Sequence, residues 1–356
     1  MSKKIVCLIE SLGSGGAERQ LSGLAVMLKQ QGYDVEVWTY YPNDFYLPVL
    51  QAAGVKYRYI SEAYSRFKRI SVLRRELLKA APDTVIAYLN TACIVACIAK
   101  LCGAKFNLIV SERNTTQTLS FRERVKFFFY RFADHIVPNS HTQTEFIATH
   151  FPKLKDKLHC ITNCVDTDKF CPPTTRVANS PLRILTVARI MAQKNVINYI
   201  KAINLLVRRG VDNFKVVWVG QSLGDSYYDE CVELIKSLGL ERYFEFVAHN
   251  PNVIDYYCTS DIFCLPSIYE GFPNVVCEAM SCGMPILCSD VCDNAAIVTE
   301  GVNGYLFNPY DVEDICCKIE KMVRNGNLQE FYGRNRDKAV EMFSKDRLLN
   351  AYISLL

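Results

Sequence analysis

The chain lacks the features that would place it in several broad classes. No uncharged apolar run approaches the roughly 18 residues of a bilayer-spanning helix, so no membrane span is expected. The five histidines, at positions 135, 141, 150, 159 and 249, show no metal-ligand spacing, and the sixteen cysteines include no C-x2-C pair. A zinc site is therefore not expected. Net charge is scarce as well: 41 Lys and Arg stand against 37 Asp and Glu, a formal +4, which makes no general case for nucleic acid. No signal peptide is expected either, because Met1-Ser2-Lys3-Lys4 runs straight into the strand-like Ile5-Val6-Cys7-Leu8-Ile9. Cysteines such as Cys93 and Cys97 sit among alanine and isoleucine, where a thiol acts as a small hydrophobe. Free thiols in a reduced, cytosolic setting are the expectation.

What is present is material for two cores. The 356 residues are 50% hydrophobic and 22% charged, enough for two ordinary domains. Charge divides unevenly between them: through Cys171 there are 23 basic and 15 acidic residues, net +8, and the remainder holds 18 against 22, net −4. An apolar strand over Lys4–Ile9 meets the turn Gly13-Ser14-Gly15-Gly16. A helical stretch from Ala17 follows, with Leu21, Leu24, Ala25 and Leu28 on one face, then Gly32 and a strand from Val35 to Trp38. Strand readings at Thr84–Tyr88, Phe106–Val110 and Asp134–Pro138 continue this βαβ pattern, as a parallel sheet covered on both faces requires. Periodicity lapses from Cys171-Pro172-Pro173 to Ser180-Pro181, which reads as a linker. It restarts with strands at Ile184–Ala188, Lys215–Gly220, Phe244–Val247, Ile262–Leu265 and Pro285–Cys288 and helices at Asn195–Arg209 and Tyr227–Leu238. The fold class is α/β, with two doubly wound domains facing a cleft. Ligands of such sheets gather beyond the carboxyl ends of the strands.

The densest chemical signal runs from Asp261 to Met280. A strand ends at Pro266, a loop follows, and Pro273 suits the first turn of a helix because its missing N–H is harmless there. Gly271 permits close backbone approach, and free N–H groups near Asn274 and Val275 suit an anion. Glu270 precedes this anion site and Glu278 lies about one turn inside the helix. Carboxylates repel phosphate but accept hydrogen bonds from sugar hydroxyls, so the pair suits a diphosphate flanked by sugars. Arg189, after the strand Ile184–Ala188, and Lys194, just before the next helix, lie at the carboxyl end of the same sheet. They would neutralise a diphosphate leaving group without a metal.

Glu270-x7-Glu278 with Gly271-Phe272-Pro273-Asn274 inside it, the Arg189 and Lys194 pair, and Gly15-Gly16-Ala17-Glu18 together resemble the retaining glycosyltransferases of family 4, which have the two-domain GT-B fold. The similarity covers nearly the whole chain. It implies a Rossmann-like acceptor-binding domain over 1–171, a Rossmann-like nucleotide-sugar domain over 181–344, and a last helix, 345–356, that crosses back to pack on the first. It further implies that Glu278 binds the nucleotide ribose, Glu270 the transferred sugar, and Arg189 and Lys194 the diphosphate. Backbone from Gly271 through Phe272, Pro273 and Asn274 to Val275 would meet sugar and phosphate, Gly15 and Gly16 the donor phosphate, and the stretch with His249 the base. Where many relatives carry a histidine after a strand of the first domain, this chain has Arg113, preceded by Glu112. A guanidinium cannot serve as a base, so front-face retention is expected, with Arg113 and Glu112 holding a sugar hydroxyl or the acceptor. No cofactor or metal is called for; a nucleoside-diphosphate sugar is the donor substrate.

The basic half suggests a further partner. Arg66, Lys68, Arg69, Arg74, Arg75 and Lys79 crowd an amphipathic stretch, and Phe121–Phe132 is a second candidate. There Phe121, Val125, Phe128, Phe129 and Phe132 form one helical face, which could pack on the sheet, an ordinary basic solvated surface being the alternative. Lys126, Phe127, Tyr130 and Arg131 lie opposite, expected to meet an anionic membrane at the inner face of the cytoplasmic membrane. The acceptor would then be polyprenyl-diphosphate-linked. Rival readings are a nucleotide-sugar epimerase of the same architecture, a nicotinamide oxidoreductase built on the first βαβ unit, and a nucleotide-sugar-binding partner without turnover. The epimerase lacks an acid/base pair. The oxidoreductase lacks G-x-G-x-x-G, although Asp34 and Glu36 stand near the distance of a ribose-binding acid.

Overall fold

A computed structural model describes residues 2–65, 68–176, 178–222, 224, 226–248, 250 and 252–356. The chain divides into two compact units, Met1–Cys164 with Asp346–Leu356, and Val165–Lys345. The first runs β1 (Lys4–Leu8), α1 (Gly16–Gln30), β2 (Asp34–Thr39), α2 (Leu47–Ala52), β3 (Lys56–Tyr59), α3 (Arg69–Ala80), β4 (Thr84–Tyr88), α4 (Asn90–Leu101), β5 (Asn107–Glu112), α5 (Phe121–Tyr130), β6 (His135–Pro138) and α6 (His141–His150). The second runs β7 (Leu182–Val187), α7 (Val196–Arg208), β8 (Phe214–Val219), α8 (Ser226–Ser237), β9 (Phe244–Val247), α9 (Ile254–Thr259), β10 (Ile262–Leu265), α10 (Asn274–Ser281), β11 (Ile286–Ser289), α11 (Asn294–Ile297), β12 (Gly304–Phe307), α12 (Val312–Val323) and α13 (Gln329–Phe343). The last helix is α14, Lys345–Ile353.

Each unit holds a six-stranded parallel sheet, ordered β3-β2-β1-β4-β5-β6 and β12-β11-β10-β7-β8-β9. Each sheet is doubly wound, and the direction of travel reverses at β1/β4 in one and at β7/β10 in the other. These switch points open a crevice at the strands' carboxyl ends. Interior strands are apolar on both faces: every residue of β4, β10 and β11 is buried, as helices on both sides of a parallel sheet demand. Each sheet carries one core on each face, and in the second unit α7 and α12 cover one face while α10 and α13 cover the other.

The boundary between units falls earlier than the proline-rich stretch. Val165 N–H donates to Phe343 O at 2.9 Å and the Phe170 ring packs 5.7 Å from that of Tyr257, so 165–171 belong to the second unit. The stretch itself is fastened there too: Arg176 donates to Ser260 O at 2.7 Å and to Cys282 O at 2.9 Å, and Asn179 binds the Asp261 carboxylate. Prolines broke the periodicity, but hydrogen bonding makes the segment part of a domain surface. At the other end Asp346–Leu356 join the first unit, where Tyr352 OH lies 2.8 Å from Tyr88 OH and Asn107 donates to Leu355 O at 2.6 Å.

Helix α5 departs in part from the sequence reading. Phe129 and Phe132 do pack against the core and Arg131 is exposed, but Lys126, Phe127 and Tyr130 exchange places with Phe121, Val125 and Phe128. Ser120 caps it by accepting from Glu123 N–H. Lys126, Phe127 and Tyr130 face inward, and Phe121, Val125 and Phe128 face out. The reason is a pair of acids. Lys126 Nζ sits 2.8 Å from Glu112 Oε2 and 2.5 Å from Glu123 Oε2, with Tyr130 OH donating to the same Glu112 oxygen. Burial pulls the Lys126 amine down, but the two carboxylates outweigh it and hold the group above its ordinary value. Phe127 then packs against Phe151 in the core, the two rings tilted.

Candidate active site

At the β7/β10 switch point two loops are stitched together. After β7 the chain passes Ala188 and Arg189, turns through Ala192–Lys194 and enters α7; after β10 it passes Ser267, Glu270 and Pro273 and enters α10. Ile268 N–H donates to Gln193 O at 2.8 Å, and Gln193 Nε2 donates to Tyr269 O at 3.0 Å. This clamp brings Lys194 Nζ within 2.6 Å of Glu270 Oε1. Glu270 is only 8% exposed, so its charge is held by that amine rather than by water. The sequence placed Lys194 on a diphosphate; the structure gives it a carboxylate partner as well.

Glu278, 3% exposed on α10, accepts from Tyr257 OH at 2.9 Å. Tyr257, on α9, was not singled out in the sequence; nothing local links it to Glu278. Arg189 is exposed and makes no hydrogen bond or ion pair among the described residues. It projects because the backbone behind it is tight: Trp218 Nε1 donates to Ala188 O at 2.8 Å, and a Cβ on Gly220 would lie 1.8 Å from that oxygen. Only glycine fits there.

The start of α10 departs in part from the expectation. Asn274 N–H donates to Phe272 O at 2.9 Å and is therefore spent, whereas the Val275 N–H carries no backbone hydrogen bond among the described residues. Pro273 is the helix N-cap and the Phe272 ring is buried against Phe343, whereas Asn274 and Val275 are half-buried. Behind the loop lies Cys292, also unanticipated, whose thiol takes a hydrogen bond from the Glu270 N–H. Burial pushes that thiol up.

In the first unit, Gly15 and Gly16 lie exposed at the start of α1, but a Cβ on Gly15 would stand 2.2 Å from Glu18 Oε2. Glu18 therefore folds its carboxyl over the turn assigned to phosphate; burial raises its pKa and Glu10 adds to that, against a hydrogen bond from its own N–H. Glu112 and Arg113 depart further from the expected sugar or acceptor contacts. Glu112, 1% exposed, is committed to Lys126 and Tyr130. Arg113 is 8% exposed and donates to Asn163 Oδ1 at 2.7 Å, Tyr88 OH at 2.5 Å and Tyr352 OH at 2.6 Å, its guanidinium lying over the Tyr88 ring. Both tie β5 to other parts of the unit, Glu112 to α5 and Arg113 to the C-terminal helix. His249 lies outside the described residues, as does Arg66 of the basic stretch before α3. Among the described residues no group of three or more His, Cys, Asp or Glu is arranged to hold a metal ion.

Comparison with known proteins bears on the family and the fold. Residues 172–339 match the family described as glycosyl transferases group 1, and residues 14–169 match glycosyltransferase family 4. The chain is 25% identical, over 97% of its length and 97% of the relative's, to the N-acetylgalactosamine-N,N'-diacetylbacillosaminyl-diphospho-undecaprenol 4-alpha-N-acetylgalactosaminyltransferase of Campylobacter jejuni. In fold it is similar to a glycosyltransferase from Rickettsia africae, with a TM-score of 0.86 and 16% identity over 99% of this chain and 97% of that one. Anabaena HepE in complex with UDP-glucose matches with a TM-score of 0.82 and 20% identity over 99% of both chains. The two sheets with their crevices are those of the GT-B fold, and the chain belongs to the family-4 glycosyltransferases.

Proposed function

We propose that this enzyme transfers a sugar, with retention and without a metal, from a uridine diphosphate sugar to a saccharide carried on a polyprenyl diphosphate at the cytoplasmic membrane face, in the making of a surface glycan. The second unit takes the donor and the first takes the acceptor. One observation carries the donor assignment: Lys194 and Glu270 pair at 2.6 Å across the loops that follow β7 and β10, and Glu278 lies on the helix that the second loop enters, which supplies two carboxylates for hydroxyls and a cation for phosphate on one side of the sheet. Glu278 accepts from the ribose, Glu270 from the transferred sugar, and Arg189 with Lys194 balances the diphosphate. The bond from C1 to the diphosphate oxygen breaks as an acceptor hydroxyl oxygen bonds C1 on the same face. The hydroxyl proton passes to the departing phosphate oxygen, so no protein base is needed. The acceptor class is supported by the lipid-linked glycan in the name of the Campylobacter jejuni relative, and the donor by the UDP-glucose held by HepE.

The test is thermal unfolding with a panel of uridine and guanosine diphosphate sugars and with nicotinamide dinucleotides. A donor at a hundredfold its Kd stabilises the fold by about 2.7 kcal/mol, and transfer of labelled sugar to a polyprenyl-diphosphate-linked saccharide should proceed in excess chelator. Stabilisation by a nicotinamide dinucleotide alone, or by none of the panel, would overturn the reading. Tyr257→Phe probes the ribose end: loss of one hydrogen bond that orients Glu278 should raise the donor Kd about fivefold by titration calorimetry, with kcat nearly unchanged.

A further inference from the structure

Helix α5 inverts the ordinary rule of burial. It encloses a lysine and leaves two phenylalanines in water, Phe121 at 80% and Phe128 at 52% exposure, with Val125 between them. Scattered apolar side chains on a surface need no explanation, but a contiguous face, one turn of helix to the next, marks something that covers it. The rim of this face is basic. Arg122, Arg124 and Arg131 are all exposed, and the Arg131 guanidinium lies 5.0 Å from the Phe128 ring and 5.4 Å from Phe132. Lys157, donating to Arg131 O and Ala133 O, adds a further cation at the helix's end. The one acid of the helix does not offset them, since Glu123 is spent on Lys126.

We propose that α5 is a membrane-docking helix, its outer face of Phe121, Val125 and Phe128 entering the headgroup boundary of an anionic bilayer while Arg122, Arg124 and Arg131 bind lipid phosphates. An aromatic and aliphatic strip flanked by arginines suits that boundary, where one side is apolar and the other carries negative charge. A second copy of the chain fits poorly: a twofold contact would set the same patch against itself and bring arginine against arginine. Phe121, Val125 and Phe128 dock in place of the Lys126, Phe127 and Tyr130 that sequence periodicity suggested, because Lys126 is anchored to Glu112, and Arg131 is common to both readings. This inference rests on the lipid-carried acceptor proposed above and names the surface that would bring the enzyme to it.

The experiment is co-sedimentation of the full chain with vesicles of phosphatidylcholine alone or of equal parts phosphatidylcholine and phosphatidylglycerol. The protein should pellet with the anionic vesicles and stay in solution with the neutral ones. Phe121→Ser with Phe128→Ser should abolish pelleting, and Arg122→Gln or Arg124→Gln should weaken it about fivefold each, in a salt-dependent way. Phe121→Trp gives a direct reading, since the native Trp38 and Trp218 are fully buried: the emission of the introduced indole should shift to the blue on adding anionic vesicles. Equal recovery from both vesicle types, no shift in the emission of the Phe121→Trp variant, or a self-associated protein that the serine substitutions make monomeric would overturn the proposal. Unfolding with UDP-glucose separates the two readings: a protein stabilised by the nucleotide sugar but left in solution refutes docking alone, and one that pellets without responding to any nucleotide sugar refutes the transferase assignment alone.

Discussion

Replacing Glu278 with alanine should raise the donor's Kd about 30- to 150-fold, the loss of about two to three kcal/mol that a hydroxyl bound to a buried carboxylate represents. The side chain is enclosed on α10, and Tyr257 already satisfies part of one oxygen. A carboxylate can only accept, and a ribose offers donors. The same substitution leaves Tyr257 OH without this partner, so some loss of thermal stability must accompany the loss of affinity. Glu278→Gln separates these effects. It keeps one acceptor oxygen and nearly the same volume, and it should recover most of the stability but little of the binding. Unaltered donor affinity in a folded Glu278→Ala protein, read by calorimetry, would remove the ribose assignment.

Lys194→Ala should lower kcat about 10²- to 10³-fold with a smaller change in KM, because charge on the leaving diphosphate grows most in the transition state. The lysine is held by Glu270 at 2.6 Å, and both side chains are nearly enclosed. Removing either partner takes this ion pair from the other, so Glu270→Ala should also slow transfer strongly. The two effects should not add. A Lys194→Ala, Glu270→Ala double variant closer to the worse single variant than to the product of both would mark them as one unit. Additive losses would mean that the two side chains act on the reaction separately. Arg189→Ala, removing an exposed group with no partner among the described residues, should cost less.

Much of the fold was readable from local pattern. The interior strands of both sheets announce themselves as short apolar runs because both their faces are covered, and turn glycines mark the helix ends between them. β3 and β12 were not read. The first alternates lysine and arginine with tyrosine on an exposed edge, and the second is four residues beginning at Gly304, whose Cβ would clash with Ile286 O. β3 faces water and so loses the apolar signature, whereas β12 keeps it, with three of its four residues buried, but is short and opens on a glycine. Tyr257, Gln193 and Cys292 were invisible for another reason. Each acts on Glu270, Glu278 or their loop from a segment distant in sequence, and no spacing rule connects them.

α5 and Arg113 show where reading along the chain stops. Helical periodicity offers two faces on α5, both rich in aromatic rings, and says only that they are opposite. Which one turns inward depends on Glu112, at the end of a strand, reaching Lys126. Arg113 stands at a strand end where active-site residues gather, yet Tyr88, Asn163 and Tyr352, from three separate segments, enclose it. The layered α/β architecture and the kind of chemistry beside Gly271 follow from the sequence, since burial period, turn residues and charge type act over a few neighbouring positions. Which charges are spent inside the protein and which are left for a ligand was decided by the tertiary structure, because an ion pair forms wherever the folded chain brings its partners together.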